Sequence, residues 1–312
     1  GVVFEPDAYA QVIKQMLLET DCCEIYTDTE YTSAKYKDHN ITSITARKGN
    51  AEYQLTADYW VDCTADAVLC RSVGCETMYG CESFDVFKEP DAPNESSEDI
   101  NGVTLIYRVT ADKSKWLNGP SEIISECWWR ESFPIASVIQ YPSGDWNINM
   151  LPTMEGLHYA NMNPQEVYQE CIKRVWSHWR WMQSRWPDFL KYCISWIAPR
   201  IGVREGPRVV GEYILTEHDL LAGLTDQKHT DIAAIADHAI DMHSSTRGAC
   251  GELQQPYGIP FRCLVPKGWK NLYIASRGAS FSHIASASCR LTRTIMKLGE
   301  AVGSAVAEKG LL

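Results

Sequence analysis

The polar residues with the clearest chemical meaning lie near the C-terminus, where Asn271-Leu272-Tyr273-Ile274-Ala275 runs through Ser276-Arg277-Gly278 into a small-residue helix expected from about Ala285. A strand that ends in a polar turn at a helix start presents free backbone N–H groups and a helix dipole to an anion. The helix's first turn, Ala285 to Ser288 with Arg290 nearby, adds hydroxyls and a cation to that site. The plainer reading, serine as an ordinary helix cap, stands beside it. Arg204-Glu205 offers a guanidinium and a carboxylate, either for a substrate or as a structural ion pair. Asp237, His238, Asp241 and His243 are metal-ligating types, but their spacing matches no specific site and reads better as a solvated helix face. No G-x-S-x-G, P-loop or H-E-x-x-H pattern is present, and the glycosylation patterns at Asn40 and Asn94 are too common to carry weight.

The elements that must position these residues follow from periodicity. Pro6 to Glu19 carries Ala8, Val12, Ile13, Met16 and Leu17 at near-helical spacing and reads as an amphipathic helix. Strand-like runs at Cys23–Thr27, Ile41–Arg47 and Tyr53–Thr56 predict a small antiparallel sheet. Ala57 to Thr64 reads as a buried strand, followed by the helix-forming run Ala65 to Cys70. The acidic, Pro-, Ser- and Asn-rich stretch Cys81–Asp99 predicts a surface loop or domain crossing. Beyond it, Val103–Val109, Ala136–Gln140 and Trp146–Asn149 read as a second sheet. Asn163 as N-cap, Pro164 at the first helical position and Glu166 predict a helix to Trp186, halted by Pro187. Its stripe of Tyr168, Cys171, Ile172, Val175, Trp176, Trp179 and Met182 reads as core packing rather than a sugar-binding platform. Thr216 caps a further helix that Gly223 should end, and Gly299 and Gly303, four apart on the closing helix, would admit a close neighbour.

Composition bounds the function. At 312 residues, 45% hydrophobic, the chain is folded and large enough for one or two domains. A net charge of −11 repels nucleic acid and anionic lipid. No apolar run reaches the roughly 20 residues of a membrane span. The 12 cysteines include no C-x-x-C pair, which favours free thiols and, with them, a reducing, cytoplasmic setting. The start at Gly1-Val2-Val3, without Met or a signal peptide, leads us to expect that something upstream has been removed.

In order along the chain, several motifs resemble the FAD-dependent oxidoreductase family. Asp62-Cys63-Thr64-Ala65-Asp66-Ala67 is similar to the family's Asp-Ala-Thr-Gly-Asp-Gly. Gly202-Val203-Arg204-Glu205 with Arg208-Val209-Val210-Gly211-Glu212-Tyr213, then Thr216 to Gly223, Tyr257 to Pro266, and the segment from Asn271 through Ser280–Arg290 to Gly303, follow the family's order over nearly the whole chain. The resemblance implies an α/β protein: a Rossmann-like flavin-binding domain, discontinuous and incomplete, of residues 1–80 and 268–312, with an inserted β-rich α+β substrate domain at 81–267. It implies hydride transfer from a small organic substrate to flavin, with Thr64, Asp66, Arg277, Ser286, Ser288 and Arg290 on the FAD side. Arg204, Glu205 and His283, with His243 and Arg262 nearby, fall on the substrate side.

The chain departs from the family where the cofactor should be held. It has no G-x-G-x-x-G turn, and Ala65, Ala67, Ser276 and Ala287 stand at close-packed glycine places, where added atoms typically cost about 1–3 kcal/mol. The expectation is therefore incomplete FAD binding by the isolated chain. The alternative is a flavin-free relative or fragment that serves as a ligand-binding or interaction module. A sheet edge left open where a first strand belongs would favour association with another copy.

Overall fold

The computed structural model describes residues 4–243 and 248–310; the opening Gly1-Val2-Val3 lies outside them. It is a mixed α/β protein of several small sheets and helices, divided into two compact units. Residues 1–29, 103–154 and 162–202 make up the first, and 30–102, 155–161 and 203–312 the second. These limits differ from the expected 1–80 and 268–312 against 81–267, because residues 203–267 pack with the closing helices.

The first unit is a four-stranded antiparallel sheet with the helix Pro164–Arg185. Its strands run Ile135–Gln140, Trp146–Leu151, Tyr107–Thr110 and Cys193–Ile197 in spatial order. Asn163 caps the helix, its side chain accepting from Gln165 N, and Pro164 occupies the first turn. The apolar stripe is core: Val167, Cys171, Val175, Trp176, Trp179 and Met182 are buried, as are Tyr107, Val109, Ile148 and Ile194 on the sheet. Helix Pro6–Leu18 forms as expected but buries no residue. Cys23–Thr27 is irregular rather than a strand, since no neighbouring strand pairs with it.

In the second unit, strands Glu30–Lys37, Asn40–Lys48 and Ala51–Leu55 form the antiparallel meander. Strand Trp60–Asp62 pairs in parallel with Leu272–Ile274. Asn271 locks the two sheets together, its Oδ1 accepting from Ile41 N at 2.9 Å and its Nδ2 donating to Ile41 O at 2.9 Å. The core gathers Trp60, Val209, Leu215, Tyr257, Ile259, Leu272, Ile274, Phe281, Leu298 and Val302.

Three local expectations change. The closing segment is not one helix from Ala285 but two, His283–Cys289 and Thr292–Gly310, and at the break Arg290 turns its guanidinium back onto the Ala287 carbonyl at 2.6 Å. Gly299 and Gly303 face open space instead of admitting a neighbour. Asp241 and His243 sit on a strand, Ile240–His243, not on a helix, because that segment pairs with Gly248–Gly251. Gly223 does interrupt the Thr216-capped helix Glu217–Asp226, with φ +61°.

Candidate functional site

All of the site lies in the second unit. Its foundation is the turn after strand Trp60–Asp62. Asp62 Oδ1 accepts from Thr64 N at 2.9 Å and from the Thr64 hydroxyl at 2.6 Å, while Oδ2 accepts from Cys70 N at 2.9 Å. Thr64 Oγ1 in turn accepts from Val68 N at 2.7 Å and caps the short helix Val68–Ser72. Ala67 takes φ +50°, a left-handed conformation that costs an alanine more than a glycine. The turn leaves Asp66 half exposed, paired with Arg277 at 2.7 Å. Arg277 also donates to Val203 O, and its Nε is buried without a partner.

Deeper in, the chain buries charge. Glu205 and Arg208 form an ion pair, and Arg208 also reaches Glu82; the Arg208 side chain is fully buried. Glu205 Oε2 accepts from Asn101 N and Nδ2, both at 2.9 Å, and Oε1 accepts from His283 Nδ1 at 2.8 Å. Burial alone would raise the Glu205 pKa, but His283 and Arg208 override it and hold it near about 2. For His283 burial acts downward, yet Glu205, helped by Cys81, raises it to about 10, so the ring is an imidazolium at neutral pH. Its Nε2 is buried and has no hydrogen-bond partner. Within this group Glu82 and Glu205 balance Arg208 and His283.

Asn101 carries the network onward. Its Oδ1 accepts from His243 N at 2.7 Å, and His243 Nε2 lies 3.0 Å from Asp241 Oδ2. Arg290 donates to Asp241 O at 3.1 Å and stands 3.5 Å from the Asp241 carboxylate. Arg204 donates to Gly102 O at 2.7 Å, and Gly102 N returns a bond to His243 O at 2.9 Å. The structure therefore brings Arg204, Glu205, His243, His283 and Arg290 into one hydrogen-bonded system. Arg262 stays outside it, paired with Asp231 on the surface and stacked on Tyr213.

The start of helix His283–Cys289 is already occupied. Ser282 Oγ accepts from Ala285 N, Glu82 Oε2 accepts from His283 N at 2.8 Å, and Glu89 binds the Ser282 hydroxyl. Glu89 also accepts from Glu217 N at 2.7 Å, tying this helix start to the next. Glu82 and Glu89 were not singled out from the sequence, and Arg208 stood there only as the start of a motif run. Glu82 and Glu89 sit in the acidic stretch that reads as a surface loop, and their partners lie more than a hundred residues away. The only signal they offered was the cluster of carboxylates itself.

The chain matches the family model described as FAD dependent oxidoreductase over residues 1–309. No curated protein matches it. Of the side chains expected to hold FAD, Ser286 donates to His283 O, Ser288 bonds Tyr257 and His238 O, Thr64 caps its own turn, and Arg290 holds Ala287 and Asp241. Asp66, Arg277 and Thr64 lie on a partly open face, while Ser286, Ser288 and Arg290 are bonded within the chain.

Proposed function

Because the chain belongs to the FAD dependent oxidoreductase family, we infer that it carries the substrate side of a redox site for a small organic molecule. Hydride transfer to flavin is the reaction the family supplies for this reading. The Asp62 turn and the Leu272 strand are assigned to a Rossmann-like scaffold beside the site. The observation that carries the inference is the hydrogen-bonded system from Glu82 through Arg208, Glu205 and His283 to Asn101, His243 and Asp241, buried at Arg208, Glu205, His283 and Asn101. Burying several charges costs several kcal/mol each unless geometry compensates, which is an expensive way to stabilise a fold and is commonly met at functional sites.

In this reading Glu205 is not a base: with a pKa of about 2 it is the carboxylate that holds His283 charged. His283 is held as a cation by Glu205, with Cys81 also beside the ring, so it would stabilise nearby negative charge rather than remove a proton. Arg204 orients the substrate. Asp66, Arg277 and Thr64 are assigned to the flavin's pyrophosphate or ribityl side, and Ser286, Ser288 and Arg290 to the ring side, where binding would require them to exchange their present bonds.

A flavin-free ligand-binding or interaction module is the second reading, favoured by those bonds and by the carboxylates at the helix start. An absorbance spectrum of the purified chain, before and after incubation with excess FAD and removal of free ligand, separates the two. Retained flavin bands support the oxidoreductase; a colourless protein transfers the assignment to the module.

A further inference from the structure

The short helix Val68–Ser72 runs out at a left-handed glycine, and that ending sets two cysteines against each other. Cys75 N donates to Cys70 O at 3.0 Å and Gly74 N to Arg71 O at 3.1 Å, with Gly74 at φ +86°. This nested pair of bonds is the Schellman ending of a helix, in which the side chains at the two ends of the outer bond pack together. Here both side chains are free thiols. Cys70 is buried, and its backbone N–H is fixed by Asp62 Oδ2 at 2.9 Å. Cys75 is partly exposed and packs on the edge of the same core. Contact with the Cys75 side chain, then burial and the Asp62 carboxylate, push the Cys70 thiol far above its ordinary value, so it is protonated at neutral pH. A backbone bond that holds two residues together, with their sulfurs facing, meets the geometric conditions for a disulfide.

We propose that Cys70 and Cys75 are a modification site, a dithiol that a peroxide converts to an intrachain disulfide. The Cys75 sulfur, the more accessible of the two, attacks one oxygen of hydrogen peroxide; the O–O bond breaks, water leaves and a sulfenic acid forms. The Cys70 sulfur then displaces the hydroxyl from Cys75, the S–S bond forms, and the hydroxyl departs with the Cys70 proton as a second water. Two thiols lose two hydrogens and two electrons, and one peroxide is reduced to two waters. A resolving thiol packed beside the oxidised one is what diverts a sulfenic acid from further, irreversible oxidation. The bridge closes over Arg71 to Gly74, a mostly exposed turn, and the Asp62 bond uses the Cys70 backbone, which chemistry at the sulfur leaves untouched. The site is independent of the flavin and substrate assignments above.

Hydrogen peroxide is the probe. The full chain, reduced and freed of reductant, is treated with it while folded, then denatured in iodoacetamide to cap every remaining thiol and digested with trypsin without reduction. Trypsin cuts between Arg71 and Ser72, so the disulfide should appear as two linked peptides, two hydrogens lighter than their sum, which fragmentation assigns to Cys70 and Cys75 and dithiothreitol separates. The linked species should be lost in Cys75→Ser, a change at a partly exposed position, and in Cys70→Ala. Capping of both thiols after peroxide, a Cys75 carried on to sulfinic acid while Cys70 is capped, or a link that fragments to Cys63 or Cys81 instead would each overturn the proposal. So would a linked species that survives in Cys75→Ser. The readout is the mass at sulfur, so a chain that retains no flavin leaves the outcome unchanged.

Discussion

His178 in the first unit and His283 in the second are equally buried and titrate in opposite directions. His178 packs among Tyr107, Phe133 and Trp181 with the Tyr107 hydroxyl at 2.9 Å from Nδ1, and burial pushes its pKa down to about 4. His283 has a carboxylate where His178 has a phenol, and its pKa rises to about 10. Burial selects against charge in both; only a buried partner of opposite sign reverses the outcome. The first unit surrounds His178 with aromatic rings and buries one charged side chain, Arg174 beside Glu170, while the second gathers Glu205, Arg208 and His283 in one buried group.

The sharpest way to break that contrast is to remove the partner. Glu205→Gln leaves Arg208 and His283 buried with Glu82 alone, and should cost about 3–5 kcal/mol in chemical unfolding, because an uncompensated buried charge remains. His283 should then titrate below the usual histidine value of about 6.5, as His178 does. A loss under about 1 kcal/mol would mean that water already reaches the network, since exposed pairs are worth no more than that.

The fold was legible where the signal is local. Asn163, Pro164 and Glu166 mark the long helix because caps act within one turn, and the alternation in Ala136–Gln140 and Trp146–Asn149 marks strands that pair through a short turn. Cys23–Thr27 has strand composition but no partner, and composition does not report pairing. In the site, Arg204, Glu205 and His283 were readable through family resemblance. Glu82 and Glu89 were not, because each takes its meaning from a residue far along the chain, and Arg208, three residues from Glu205, stood in the motif run with no role assigned. The same distance hid Asn101, which joins the two halves of the network from the end of a segment that reads as loop.

Acid and alkali should separate the two histidines next. His178 has a depressed folded pKa, so the unfolded chain binds the proton first. Its contribution is complete above about 6.5 and is lost as pH falls toward about 4, on the order of 3 kcal/mol in all. His283 has a raised folded pKa. Its contribution is complete below about 6.5 and is lost as pH rises toward about 10. Unfolding free energies measured across pH should show both limbs, and His178→Phe should flatten the acid limb alone. An acid limb that survives this substitution would assign it to other groups.

Tyr107→Phe comes third. It strips the partner from His178 Nδ1 inside a packed aromatic cluster and should cost about 1–3 kcal/mol, the range for a buried polar group left unsatisfied. Thermal unfolding would measure it. A neutral result would show that His178 finds another acceptor or donor by a small ring rotation.

The smallest effect is expected at the rim of the second unit, where charge is paired but wet. Asp66 is half exposed and Arg277 keeps its bond to Val203 O whether or not the carboxylate is ionised. Solvent screens such a pair, so Asp66→Asn should change stability by less than about 1 kcal/mol in urea unfolding. This places the boundary of the buried network between Asp66 and Glu205. A loss above about 2 kcal/mol would move Asp66 inside it, because only a desolvated partner leaves so large a penalty behind. The Asp66 carboxylate would then be holding Arg277, whose buried Nε already lacks a partner, as part of the charged interior rather than standing free for a ligand.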